Sequence, residues 1–278
     1  MTFWVGSRDG GALVDQEHAL ISVLDHGFTV ADGVFETMKV TPDGPFAVTR
    51  HLRRLAQSAR SLGLADPDLE VVRAAVAAVV EASPGLGDLG RLRITYTGGV
   101  APLGSDRGEA TPSLVVALAA AEPWPPTTTL ATVPWTRNER SAVAGVKSTS
   151  YAENVVALQF AHERGASEAV FANGRGDLCE GTGTNVFVVV DGRVLTPPLS
   201  SGCLAGITRE LVLEWFGGDE VTLTADALFT ADEVFVTSST RNVHPVVRVD
   251  DRMWPAAGLV SRDLQAAFDA RAAADIDP

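Results

Sequence analysis

Lysine is almost missing from this chain: of 22 basic residues only two are lysines, Lys39 and Lys147, and arginine supplies the rest. Positive charge as a whole is short, with 35 acidic residues leaving a formal charge of −13. That balance excludes nucleic acid and anionic membrane as expected partners, because binding either takes a basic face. The two cysteines, Cys179 and Cys203, are too few for a disulfide framework and suit a reducing cytoplasm. Neither sits in a CxxC pair, and the five histidines are scattered singly, so no metal site is legible. Long apolar runs are absent too. The longest, at 113–121 and 186–190, fall well short of the roughly 20 residues a membrane-spanning helix needs. The opening MTFWVGSRDGG has no basic stretch leading into an apolar one, so no secretion signal is expected. What is present is ordinary for a globular chain: 278 residues, 46% hydrophobic and 21% charged, enough for one large core or two domains.

Taken in order, residues 3–40 read as short strands broken by turns and ending in a strand over 34–40. Residues 50–64 form a helix by the spacing of Leu52, Leu55, Ala56, Ala59 and Leu62. A second helix is expected with Asp66 as N-cap and Pro67 in its first position. Strands follow at 91–97 and 114–118. The stretch AAEPWPPTTT then carries three prolines and no periodicity, which is linker chemistry. Beyond it the pattern predicts strands at 130–134, 168–172, 185–190, 193–195, 220–224, 233–237 and 246–249, with helices over 206–215 and 258–274. The expected fold class is α/β in the broad sense. A smaller N-terminal α+β domain covers 1–120, a linker 121–128, and a larger mixed β-barrel-like domain with helices 129–278.

Lys147 lies in GVKSTSYAENVVALQFAHERG, where a short extended run leads into a helix expected from about 149 to 165. A desolvated lysine can lose its proton and attack a carbonyl, whereas arginine cannot. Biased genome composition would leave the same two lysines, so the neighbours have to decide. If Lys147 forms a Schiff base, the matching cofactor is pyridoxal phosphate. That group asks for a lysine, an acid for its pyridinium nitrogen, and backbone N–H groups plus arginine for its phosphate. Glu180, followed by two glycines in DLCEGTGTN, is the acid candidate; a solvated loop glutamate is the plain alternative. The start of the 206–215 helix, GITR, offers the N–H groups of Ile207 and Thr208 to an anion. The TSST loop, with Ser239 and Thr240, adds hydroxyls. Either feature taken alone is also an ordinary helix cap or turn. Arg54, between core positions Leu52 and Leu55, either reaches inward to the same phosphate or snorkels to the surface.

Together DHGFTVADGVFET, HLRRL, the Lys147 junction, the stretch 168–187, LAGITRE and DEVFVTSSTRNVHPV resemble the fold-type IV pyridoxal-phosphate enzymes. These comprise the branched-chain aminotransferases, D-amino-acid aminotransferases and aminodeoxychorismate lyases. The resemblance implies that Lys147 holds pyridoxal 5′-phosphate as a Schiff base and shuttles the substrate proton. It implies that Glu180 pairs with the pyridinium nitrogen, and that Arg54, Ile207, Thr208, Ser239 and Thr240 bind the phosphate. It also implies a homodimer working on an amino donor and a 2-oxo acid. The chain departs from the D-amino-acid enzymes in two places. Thr97-Gly98-Gly99 lacks their arginine after the strand, and Phe35 stands where they carry tyrosine. Arg241, directly after TSST, and Arg93, on the 91–97 strand, are therefore the candidates for the substrate carboxylate; Arg241 pointing to solvent or to a partner is the alternative. The run EVFVTSSTRNVHPV favours a transaminase acting on D-amino acids or (R)-amines. Aminodeoxychorismate lyase and, behind it, a branched-chain L-aminotransferase are the alternatives.

Overall fold

The computed structural model describes residues Met1–Pro278. They cluster into two units: Met1–Pro123 with Val146–Ser150 and Asp275–Pro278, and Trp124–Gly145 with Tyr151–Ala274. The first division falls inside the proline-rich stretch. The two short returns to the first unit are not signalled in the sequence. They follow from backbone pairing, since Lys147 O accepts from Phe35 N and Ile276 O accepts from Ala47 N.

The first unit is built on a six-stranded sheet in the order Gly10–Val14, Phe3–Ser7, Ser113–Ala120, Gly90–Thr97, Gly33–Thr41, Gly44–Pro45. Every neighbouring pair is antiparallel. Alternation sends Val34, Met38, Leu92, Ile94, Tyr96, Leu114, Val116 and Leu118 to one face. There they meet the apolar stripes of the helices Val48–Ser61 and Leu69–Glu81. The second helix starts later than expected. Asp68 is its N-cap, accepting from the amides of Glu70 and Val71, while Asp66 is held by Arg60 Nε at 2.9 Å. Pro67, which has no N–H to donate, precedes the cap.

In the second unit six strands close on themselves. The ring runs Asn185–Val190, Glu233–Ser238, Asn242–Val249, Thr128–Arg137, Glu168–Asn173 and Leu178–Gly181, and returns through the pairing of Glu180 with Asn185. Closure removes the open edges that would otherwise need protection. Two of the pairings, Thr128–Arg137 with its two neighbours, are parallel. Val186, Val188, Val234, Val236, Val170 and Leu130 form one buried cluster, and the rings of Phe187 and Phe235 stack with centroids 4.7 Å apart. The helix Ala152–His162 lays Ala157 and Ala161 against Phe171, the helix Leu259–Ala274 buries Phe268, and Ile207–Phe216 buries Leu211 and Val212.

Three sequence expectations are corrected here. Glu180 is not in a loop but in the strand Leu178–Gly181, three residues of which pair with the strand before it. The segment 220–224 is not one strand. Asp219–Glu220 pairs beside Leu195–Thr196, Val221 N reaches Thr196 O, and Leu223 O then turns to accept from Leu178. The helix after Lys147 starts at Ala152, because the Thr149 hydroxyl is tied to Ala31 O at 2.7 Å and Thr149 N to Gly33 O at 2.8 Å.

Candidate active site

Lys147 is positioned by the strand Gly33–Thr41. Phe35 N donates to Lys147 O at 3.0 Å, and Ser148 bridges Val34, so the lysine segment runs as a short added strand. The close approach accounts for Gly33, where an added Cβ would lie 3.0 Å from Tyr96 O and 3.2 Å from the Thr149 hydroxyl. On the face of the sheet away from the helices, Lys147 Nζ stands 4.4 Å from the centre of the Phe35 ring. The Arg93 guanidinium lies 3.8 Å from the same ring. Register places Phe35 opposite Thr95 and Thr37 opposite Arg93, which puts Arg93 and Arg91 on the Phe35 face.

Glu36, one residue on, faces the other way and is fully buried. Its Oε1 accepts from Arg54 Nε at 2.8 Å and its Oε2 from Arg54 Nη2 at 2.6 Å and His51 Nδ1 at 2.7 Å. Burial by itself would raise the Glu36 carboxyl, but the Arg54 charge and the Arg54 and His51 hydrogen bonds outweigh it and bring it down to about 2. Burial holds His51 below the usual imidazole range, against the pull of Glu36. An ionised carboxylate only accepts, so the neutral imidazole carries its proton on Nδ1. Arg54 thus does not snorkel to the surface but is turned inward onto Glu36 and bound bidentately.

In the second unit the strand Thr128–Arg137 shifts register between Thr132 and Thr136 and delivers Arg137 to Glu180. Arg137 Nε lies 3.2 Å from Glu180 Oε1, as an ion pair rather than an aligned hydrogen bond. The guanidinium also stacks 4.2 Å from the Phe171 ring and donates to Asn154 Oδ1 at 2.9 Å and to Glu153. Glu180 Oε2 accepts from Leu204 N at 2.9 Å. Burial pushes the Tyr151 phenol up, with the nearby Glu180 charge adding to it.

Gly206 is the N-cap of Ile207–Phe216 and brings no capping side chain, while Ile207 and Thr208 behind it are buried. No larger residue fits there, since a Cβ on Gly206 would sit 1.9 Å from Asn185 Oδ1. Ser239 and Thr240 form the turn after Glu233–Ser238, both half-buried. Beside them the buried Thr237 hydroxyl has no hydrogen-bond partner. Arg241 points neither to solvent nor outward. Its Nη2 donates to Glu168 Oε2 at 3.2 Å, its Nη1 lies 3.4 Å from the Thr128 hydroxyl, and its guanidinium stacks 3.9 Å from the Trp124 ring. Glu168 also accepts from Thr182 N at 3.1 Å.

The missing arginine after the 90–97 strand has a steric cause. A Cβ at Gly98 would stand 2.4 Å from Asp32 Oδ2, and Gly99, at φ +79°, would drive one into Thr111 O at 1.9 Å. The arginine of this loop is Arg107, fixed bidentately on Asp32 at 2.6 Å and on the carbonyls of Leu62 and Gly63. Sequence reasoning missed Glu36, His51 and Arg137. A glutamate in phase with Val34 and Met38 is the one signal that pointed to the first; nothing marked Arg137.

The family profile described as Amino-transferase class IV matches residues 33–249. A D-alanine aminotransferase of Staphylococcus haemolyticus is 30% identical over 279 residues, covering 93% of this chain and 94% of that one. The structure of a fold IV-transaminase from Curtobacterium pusillum superposes with a TM-score of 0.85 at 31% identity, covering 95% and 97% of the two chains. A branched-chain aminotransferase from Thermoproteus uzoniensis, solved with norvaline, superposes with a TM-score of 0.88 at 28% identity, covering 97% and 93%. Each unit carries groups of the kind that a pyridine ring bearing a phosphate asks for: the second unit a carboxylate with 14% of its side chain exposed, an uncapped helix start and an orphaned threonine hydroxyl, the first unit a lysine amine. The chain therefore belongs to the class IV aminotransferases, pyridoxal-phosphate enzymes of fold type IV.

Proposed function

We propose that this enzyme moves the amino group of a D-amino acid or (R)-amine to a 2-oxo acid, and that Arg93 receives the substrate carboxylate. The observation that carries the reading is the Phe35 ring with Lys147 Nζ at 4.4 Å and the Arg93 guanidinium at 3.8 Å, an amine and a carboxylate receiver on one rigid support. Arg241 is the weaker candidate because its charge already lies against the buried Glu168. When bound, pyridoxal phosphate supplies an electron sink for the bond broken at the substrate Cα. Lys147 holds the cofactor through Nζ and then carries the Cα proton. Glu180, oriented by Arg137 and Leu204 N, pairs with the pyridinium nitrogen. Arg54, whose orientation Glu36 holds, binds the phosphate with the amides of Ile207 and Thr208 and the hydroxyls of Ser239 and Thr240.

The D-alanine aminotransferase relative supports the D-side reading. A second reading, transfer from a branched-chain L-amino acid, is favoured by the likeness to the Thermoproteus enzyme. Incubation with 2-oxoglutarate and either D-alanine or L-leucine, with aminodeoxychorismate as a third arm, separates them. The proposal expects pyruvate from D-alanine, little product from L-leucine and no p-aminobenzoate. Glutamine at Arg93 is expected to raise KM for 2-oxoglutarate about ten-fold or more. An unchanged KM there removes Arg93 from the site.

A homodimer is part of the same proposal. In the first unit Leu20, Val23, Phe28 and Leu103 are each 70% exposed or more, an apolar cluster gathered by the pairing of Asp25 with Val100. Sedimentation is expected to give a mass twice that of the chain. No helix is long and apolar enough to cross a membrane, and with its reducing-type cysteines the enzyme is proposed to be cytoplasmic.

A further inference from the structure

The helix Val48–Ser61 carries both His51 and Arg54, yet it has no cap of its own. Its N-cap is Ala47, held at φ 56°, and no local side chain accepts from its first turn. The missing acceptors arrive from the far end of the sequence. Asp277 Oδ1 accepts from Thr49 N at 2.8 Å, Asp277 Oδ2 from the Thr49 hydroxyl at 2.6 Å, and Ile276 O from Ala47 N at 2.7 Å. Arg50 Nε donates to Pro278 O at 2.8 Å, and Arg73 joins the cluster with Nη2 at 3.0 Å from the Thr49 hydroxyl. A carboxylate at this point satisfies orphan N–H groups and opposes the positive end of the helix dipole.

We propose that Asp277 is a positioning residue for the cofactor: it caps the Arg54 helix and so fixes Arg54, with His51, on Glu36. The step from cap to cofactor rests on the reading that Arg54 holds the phosphate. The left-handed Ala47 is strained for a residue with a Cβ, and it stays so because Ile276 O and the Asp277 cap hold the turn on both sides. Loosening that turn leaves Arg54 one helical turn from a frayed end, and a bidentate pair tolerates little angular drift.

Hydrogen exchange on the holoenzyme and the rate at which it loses its cofactor on dilution, read as visible absorbance, test this. Asp277→Ala is expected to speed exchange at Thr49 and His51 about five-fold and to speed cofactor release by a similar factor. Exchange in the strand Asn185–Val190 should stay as in the parent. Asp277→Asn keeps an acceptor for Thr49 N and is expected to recover most of both effects. Removal of residues 275–278 adds the loss of the Ala47 bond and should exceed Asp277→Ala. Unchanged exchange at Thr49 and His51 overturns the cap, and so does a rise spread evenly over the chain. Faster exchange there with unaltered cofactor release overturns the positioning role. Arg54→Lys is run alongside: if it leaves release unchanged while Asp277→Ala speeds it, the route through Arg54 fails and the phosphate reading with it.

Discussion

Glu36 and Glu180 are the same residue type, each set against an arginine, and the two halves of the chain use them in opposite ways. Glu36 has none of its side chain exposed, and Arg54 and His51 fill both its oxygens from the helix behind it. Glu180 keeps 14% exposed, with Arg137 at one oxygen and a backbone amide at the other. A saturated, fully buried carboxylate fixes a fold; a carboxylate that keeps part of its surface exposed is the kind that can meet a ligand. The difference is one of burial and geometry rather than of residue chemistry.

Breaking the two halves should therefore produce different failures. The largest effect is expected at Lys147: Lys147→Ala should lower turnover at least about a thousand-fold, and borohydride reduction of the wild type should leave the phosphopyridoxyl mass on the Lys147 peptide. Glu36→Gln removes the counter-charge from beside the buried Arg54 and should cost about 3 kcal/mol or more in urea unfolding. Glu180→Gln should leave stability within about 1 kcal/mol while reducing kcat roughly a hundred-fold. Equal losses of stability in the two variants would erase the contrast.

A milder probe is acid. The folded Glu36 carboxyl lies near 2 against 4.5 for the free group, so the stability it contributes is complete above about pH 4.5 and is lost as pH falls toward 2. The folded His51 also lies below its ordinary 6.5, so its neutral form favours the fold above that pH and the benefit declines below it. Both act in one direction. Acid unfolding followed by urea midpoint should weaken in two stages below pH 6.5 and 4.5, and Glu36→Gln should abolish the lower one. The smallest effect is expected at Asp68, whose loss as the N-cap of Leu69–Glu81 should cost about 1 kcal/mol and leave KM as it was.

Much of this was readable in one dimension. Strand 185–190 and the closing helix were legible because apolar period and chain direction are local properties, and the motifs around Lys147, Glu180 and GITR carried the family because they are contiguous. The lysine count narrowed the Schiff-base candidates to Lys39 and Lys147, and the neighbouring motifs chose Lys147. Tertiary structure decided the rest. It put Glu180 in a strand, because closure of the ring pairs it with Asn185, a contact no local pattern encodes. It placed Arg241 against Glu168, 73 residues away, and Arg93 on Phe35 through strand register. It supplied a cap for the Arg54 helix from 228 residues downstream. Side-chain type and spacing determine which chemistry is available, but which charge is neutralised and which is left facing a ligand depends on long-range pairing, and only the folded chain brings those partners together.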